Sequence, residues 1–189
     1  LAVGLSVAAL HRLGGPLAQG VCDVYTYVLR GVPVLVLLFL VYFGLPSVGL
    51  KIPPLAAMAL SLGLVASANL AEVFRGALDA VDPIEILAAE SMGLSRWQVF
   101  AFVEMPQMLR FAIPGMVNEF TSVLKYSPFA YTVGIPEITK EAITLTGTTL
   151  QGTEIYLAVG VLYFVIYRVL LLGVQFIERL YRVPGIHAV

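Results

Sequence analysis

The chain has 189 residues, 59% of them hydrophobic and only 12% charged, with a mean hydropathy of +0.92. A soluble domain carries roughly 25% charged residues, so this composition excludes that class and marks an integral membrane protein. The net charge of −1 gives no footprint for nucleic acid, the single Cys22 excludes an internal disulfide, and His11 and His187 alone argue against a histidine-built zinc centre.

The opening apolar run, residues 1–10, is shorter than the ~20 residues a spanning helix needs. It reads as the end of a helix whose beginning is missing, a cleaved signal peptide being the other reading. A polar break, HRLGGPLAQG, follows at 11–20. Residues 21–31 then mix Asp23, Tyr25, Tyr27 and Arg30 with apolar side chains, a pattern that predicts an interfacial helix. Residues 33–48 are apolar over roughly 24 Å, a short span. Residues 55–71 form the next, rich in Ala, Ser and Gly, as expected of a helix in the interior of a bundle or at a subunit contact. Residues 105–124 are apolar again, broken by Pro114 and Gly115. Residues 126–152 mix Thr, Gly and Pro with apolar groups and suggest a partly embedded hairpin sheltered by protein. Residues 155–177 are the last span. Counting the first, partial helix, the expectation is a single all-α domain, 1–189, with five spans. Arg12, Arg30, Arg75, Arg96, Arg110, Arg179 and Arg182 fall on or near one side, with Lys51, Lys125 and Lys140 opposite, which makes the arginine side cytoplasmic.

Between the third and fourth spans lies a polar stretch, 82–104, with its own helix punctuation. Asp82 can cap, Pro83 suits the first helical position, and Glu85 stands three after the cap. Gly93 is a terminator, and Ser95 with Gln98 opens a second helix. Three readings compete: an amphipathic loop on the membrane surface, a DNA-binding helix-turn-helix, and a docking element for a peripheral subunit. The acids Glu72, Asp79, Asp82, Glu85, Glu90 and Glu104 outnumber Arg75 and Arg96 here, which disfavours DNA. Two capped helices fixed at both ends to membrane spans would transmit an applied force into those spans, which an energy-coupling contact requires.

LRGVPVLVLLFLVYFGLP at 29–46, LAEVFRG at 70–76, AAESMG at 88–93, MPQMLR at 105–110, NEFTSVLK at 118–125 and GIPEIT at 134–139 together resemble the membrane subunits of ATP-binding-cassette importers, closest to the polar amino acid uptake permeases. The resemblance runs in order over nearly the whole chain. It implies a five-helix importer-type permease with a cytoplasmic coupling helix, paired with a second permease half, identical or not. It further implies cytoplasmic ATPase subunits that bind ATP and Mg, an extracellular solute-binding protein, and a prokaryotic cytoplasmic membrane. No cofactor and no catalysis are expected in this chain itself, since it has no GxxxxGK[ST] phosphate loop; GLPSVGLK at 44–51 has the wrong spacing. Carried over by match, Ala88, Ala89 and Gly93 belong to the coupling element. The family usually has glutamate before the two alanines, where this chain has Leu87, so Glu85 and Glu90 become the acidic candidates. It departs again at Lys125, Tyr126, Ser127, Pro128, and at Val65 and Asn69.

Ionisable groups inside spans are functional candidates. Asn118 and Glu119, with Arg168 as a partner at similar depth, are candidates for the translocation path, a structural ion pair or a snorkelling arginine being the plainer alternatives. Glu72 and Arg75, three apart, read as a helix-surface ion pair or as an anchor for the loop. The competing functions are an ion-coupled secondary transporter or channel, marked by inverted repeats that this chain lacks, and a non-transporting half of a heterodimer.

Overall fold

The computed structural model describes residues 1–180, with side-chain surroundings through 174, and the regular elements among them are all helical. They group into two compact units, one of residues Leu1–Tyr126 and one that begins at Ser127.

In the first unit the small-residue segment becomes the axis. Helix α1 is Ala2–Leu13, α2 is Pro16–Gly31, α3 is Val34–Ser47 and α4 is Pro54–Asp79. Helix α5 is Pro83–Ser91, α6 covers 96–111, and α7 is Ile113–Tyr126. Helices α1, α2, α3, α6 and α7 all pack on α4. Its alanines, serines and glycines permit that, because small side chains let helix backbones approach. At Gly4 of α1 the approach is so close that a Cβ would fall 2.8 Å from the Ser67 carbonyl oxygen and 2.9 Å from the Leu70 Cβ. The apolar core joins Ala8 of α1, Leu70, Phe74, Ala77 and Leu78 of α4, Phe100 and Met108 of α6, and Ala112 just after it.

Helix α2 is turned inside out relative to a soluble amphipathic helix. Leu17, Val21, Val24, Tyr27 and Val28 are exposed, while Cys22 and Thr26 are buried against the bundle. The chain then bends by 100° into α3. An apolar outer face and a sharp bend into the next helix are what an interfacial segment requires.

Both α3 and α6 contain one π-helical turn, Leu40–Gly44 and Phe100–Glu104. Each is centred four residues before a proline, Pro46 and Pro106. A proline ring clashes with the carbonyl four residues earlier and leaves it without its N–H, and a widened turn relieves both problems.

Among the described residues two helices, α4 with 26 residues and the 23-residue segment Gly152–Val174, are long and apolar enough to cross a membrane, three spans if α2 and α3 are taken as one. The remaining expected spans are short or interrupted. Helix α1 has 12 residues. The 105–124 segment is divided at Ala112, two residues before Pro114, which cannot donate to the ladder.

In the second unit a 3₁₀ helix, Ser127–Val133, ends at Gly134 with φ of +86°, a backbone that favours glycine. Helix α8, Ile138–Thr149, and α9, Gly152–Leu180, follow. The hairpin expected over 126–152 is therefore helical. Glu137 nucleates α8, its carboxylate accepting from Thr139 N at 2.8 Å and Lys140 N at 2.7 Å.

Candidate functional site

The stretch 82–104 folds as its punctuation predicts, except that Glu85 bonds Gln107 and not the Asp82 backbone. The Asp82 side chain accepts from Ile84 N at 2.8 Å, and Pro83 follows at the first helical position of α5. At the other end Leu94 N donates to Ala89 O and Gly93 N to Glu90 O, the paired bonds of a Schellman terminus. Gly93 carries the left-handed backbone this needs, φ +84°. Gln98 Oε1 then accepts from Ser95 N at 2.8 Å, fixing the start of α6.

The side chains of this element divide into two sets. Ala89 is buried, so it lets α5 sit close against its own unit. Glu85, Ala88, Glu90 and Gly93 are exposed. Beside them stand four large apolar groups, Ile84, Leu87, Trp97 and Met92, the last 81% exposed. Ile84, Leu87, Ala88 and Ser91 share one helical face by spacing. Apolar side chains of this size, exposed on one short element, are available to a partner or to the membrane surface. Glu85 is also tied to the adjoining helix, its Oε2 accepting from Gln107 Nε2 at 2.5 Å.

The loop stands on an ionic web. Arg75 Nη1 donates to Glu72 at 2.9 Å and to Asp23 of α2 at 2.8 Å, so the predicted pair on α4 also ties in a second helix. Arg30 approaches Glu72 at 3.5 Å and His11 approaches Asp23 at 3.3 Å. Arg12 of α1 donates from Nε to Glu104 Oε1 at 2.9 Å and from Nη2 to the same oxygen. Arg12, Arg30 and Arg75, assigned by sequence to one side, all enter this web, and Arg96 from the same set donates to the Arg12 backbone carbonyl. The Arg12–Glu104 pair is the part that sequence reasoning missed. Its one signal is an acid in the apolar run FAFVEMP with no basic residue three or four positions away to pair with it.

Of the translocation-path candidates, Glu119 is buried in the first unit and accepts from Asn69 Nδ2 of α4 at 3.1 Å. Asn69 is one of the positions where the sequence departs from the family pattern, and it supplies this bond. Asn118 is exposed, its carbonyl accepting from Thr121 and Ser122. Arg168 is exposed on α9 of the second unit. Among the described residues no group of His, Cys, Asp and Glu is arranged to hold a metal ion.

Residues 1–183 match the family described as "Binding-protein-dependent transport system inner membrane component". The chain is 36% identical over 166 residues to the "Probable amino-acid permease protein YxeN" of Bacillus subtilis, covering 86% of this chain and 74% of that protein. It is 30% identical over 181 residues to the "Glutamine transport system permease protein GlnP" of Escherichia coli K12, covering 95% and 83%. A solved structure described as an amino acid ABC transporter with histidines is similar with a TM-score of 0.85 and 31% identity, covering 94% of this chain and 83% of that one. The MetNI methionine ABC transporter in an inward-facing form has the same fold, with a TM-score of 0.79 at 19% identity over 96% and 87% of the two chains.

Proposed function

The chain belongs to the family of binding-protein-dependent transport system inner membrane components, and on that premise we propose that it is one permease half of an ATP-driven amino acid importer. The observation that carries the reading is the element 82–104. It is capped at Asp82, locked by the Gly93 terminus and rooted between α4 and α6, and it presents Ile84, Leu87, Met92 and Trp97 outward. Such a surface fits a groove on a cytoplasmic ATPase subunit, which binds ATP and Mg. Glu85, Ala88, Glu90 and Gly93 are then contact or shape residues, and Ala89 seats the helix from below.

ATP binding draws two ATPase subunits together and moves the docked loops, and the permease halves exchange inward-facing for outward-facing states. The nucleotide must favour one state for this to occur, and the loop carries that difference. A second permease half, an extracellular solute-binding protein and a prokaryotic cytoplasmic membrane complete the assembly. The names of the related permeases support amino acids as the solute class. Glu119, held by Asn69, and the neighbouring Asn118 are the polar groups of α7 proposed to line the path, with Arg168 of the second unit as a further candidate.

The test is purification in mild detergent followed by reconstitution. The chain should co-purify with an ATPase subunit, and liposomes given the binding protein should take up an amino acid only when ATP is enclosed on the ATPase side. Uptake driven by an ion gradient without ATP would instead establish a secondary transporter.

A further inference from the structure

Arg12 occupies an unusual place. Its guanidinium holds Glu104, whose side chain is only 6% exposed, and lies 3.7 Å from Asp79. Its backbone carbonyl accepts from Arg96 Nη2 at 2.6 Å. These three partners bracket the docking element: Asp79 closes α4 just before it, Arg96 opens α6 within it, and Glu104 ends the π turn that closes it. One residue of α1 thus touches the entry, the middle and the exit of the loop, although 92 positions separate it from Glu104.

The chemistry suits a fixed joint. An arginine fork delivers two donors in one plane, and a buried carboxylate that loses its partner is costly, so the pair resists separation. The exposed Asp79 contact adds little hold by comparison. Phe100, one turn before Glu104, is buried in the same core cluster as Ala8 of α1.

We propose that Arg12 is a positioning residue for energy coupling: it clamps the loop to α1, so that loop movement is passed to α1 as well as along the backbone into α4 and α6. This rests on the permease reading above. The backbone alone offers only the two spans that the loop connects, whereas the Arg12 joint adds a third helix that precedes it in the chain.

The experiment compares wild type, Arg12→Gln/Glu104→Gln and Arg12→Lys in the full complex with its ATPase and binding protein. The double variant removes the charge from both partners, so no carboxylate is left buried and unpaired. Two quantities are read, amide exchange over 83–104 and solute molecules imported per ATP hydrolysed. The double variant should assemble, hydrolyse ATP, exchange faster over 83–104 and import about tenfold less per ATP. Arg12→Lys, which keeps the charge but not the fork, should fall between. A purely structural role would lower assembly yield and leave import per ATP unchanged, and that unchanged ratio overturns the proposal. Should the double variant not assemble, Arg12→Lys decides alone, a wild-type ratio again overturning it. Absence of ATP-dependent import by the wild type would overturn the permease reading. Unchanged exchange over 83–104 would overturn the clamp by itself, whether or not transport occurs.

Discussion

A side chain added at position 93 would meet nothing within 4 Å, yet the backbone there has φ of +84°, which a β-branched residue adopts only under strain. Gly93→Val should therefore unwind the Schellman terminus, at a cost of about 1–3 kcal/mol, without disturbing any packing. The expected result is normal membrane insertion with ATP hydrolysis uncoupled from uptake; full uptake by Gly93→Val would remove the coupling role from the turn. Gly4 presents the opposite case. Its φ is ordinary for a helix, but a Cβ would strike the Ser67 carbonyl, and that acceptor belongs to the backbone of α4 and cannot swing aside. Gly4→Ala should push α1 off α4 and lower thermal stability in detergent by about 1–3 kcal/mol. An unchanged melting temperature would show that α1 can slide without loss. The sequence marks Gly93, because helix termination is a local property of a few residues. It does not mark Gly4, because only the approach of α4, some sixty positions later, makes that site crowded.

At the scale of elements the same distinction holds. Helix α5 was legible because Asp82, Pro83 and Gly93 act within one or two turns of themselves. Asp82→Ala should cost about 1 kcal/mol of its local stability, read as faster amide exchange over 83–91 with the rest of the first unit unchanged. Helix α8 was not legible, since threonines and Gly147 favour helix weakly and compete for backbone hydrogen bonds. In the folded chain those hydroxyls bond back to helix carbonyls instead, Thr144 to Lys140 at 3.1 Å and Thr149 to Leu145 at 2.8 Å. Tyr163 of α9 adds a bond to the capping Glu137 at 2.9 Å, a contact no local pattern announces. The candidate site follows suit. Its helix ends could be read from Asp82, Gly93 and Ser95. Its foundation could not, because Arg12 and Glu104 meet only once α1 and α6 have both packed on α4. The π turns were missed for a different reason: Pro46 and Pro106 signal a disturbed helix, and choosing a widened turn over a kink depends on what each side chain must reach.

The first unit leaves one face of its central helix open. Ala56, Ala59 and Gly63 of α4 are exposed, spaced i, i+3, i+7, and nothing lies within 4 Å of a Cβ placed on Gly63. On the opposite side the same helix buries Ala57, Ser61, Ala68 and Ala71 against its neighbours. A lipid-facing surface is served equally well by bulky side chains, as the exposed Leu55 and Leu60 of the same helix illustrate, so the small size of Ala56, Ala59 and Gly63 gains nothing from lipid. It gains from a second helix, because in a bilayer close backbone approach is a main source of association. The proposed second permease half is the natural occupant of this face. Gly63→Leu should then abolish pairing of permease halves, measured by cross-linking in membranes, while the single chain keeps its wild-type melting profile in detergent. Gly4→Leu is the control of opposite sense, since it should damage the fold of the single chain itself. If Gly63→Leu pairs and transports as wild type does, α4 does not carry the contact, and the outer face of α2 and α3 becomes the surface to test. If it pairs but stops transport, the open face lines the path between the halves. Either outcome locates the second half relative to α4, the helix on which the first unit is built.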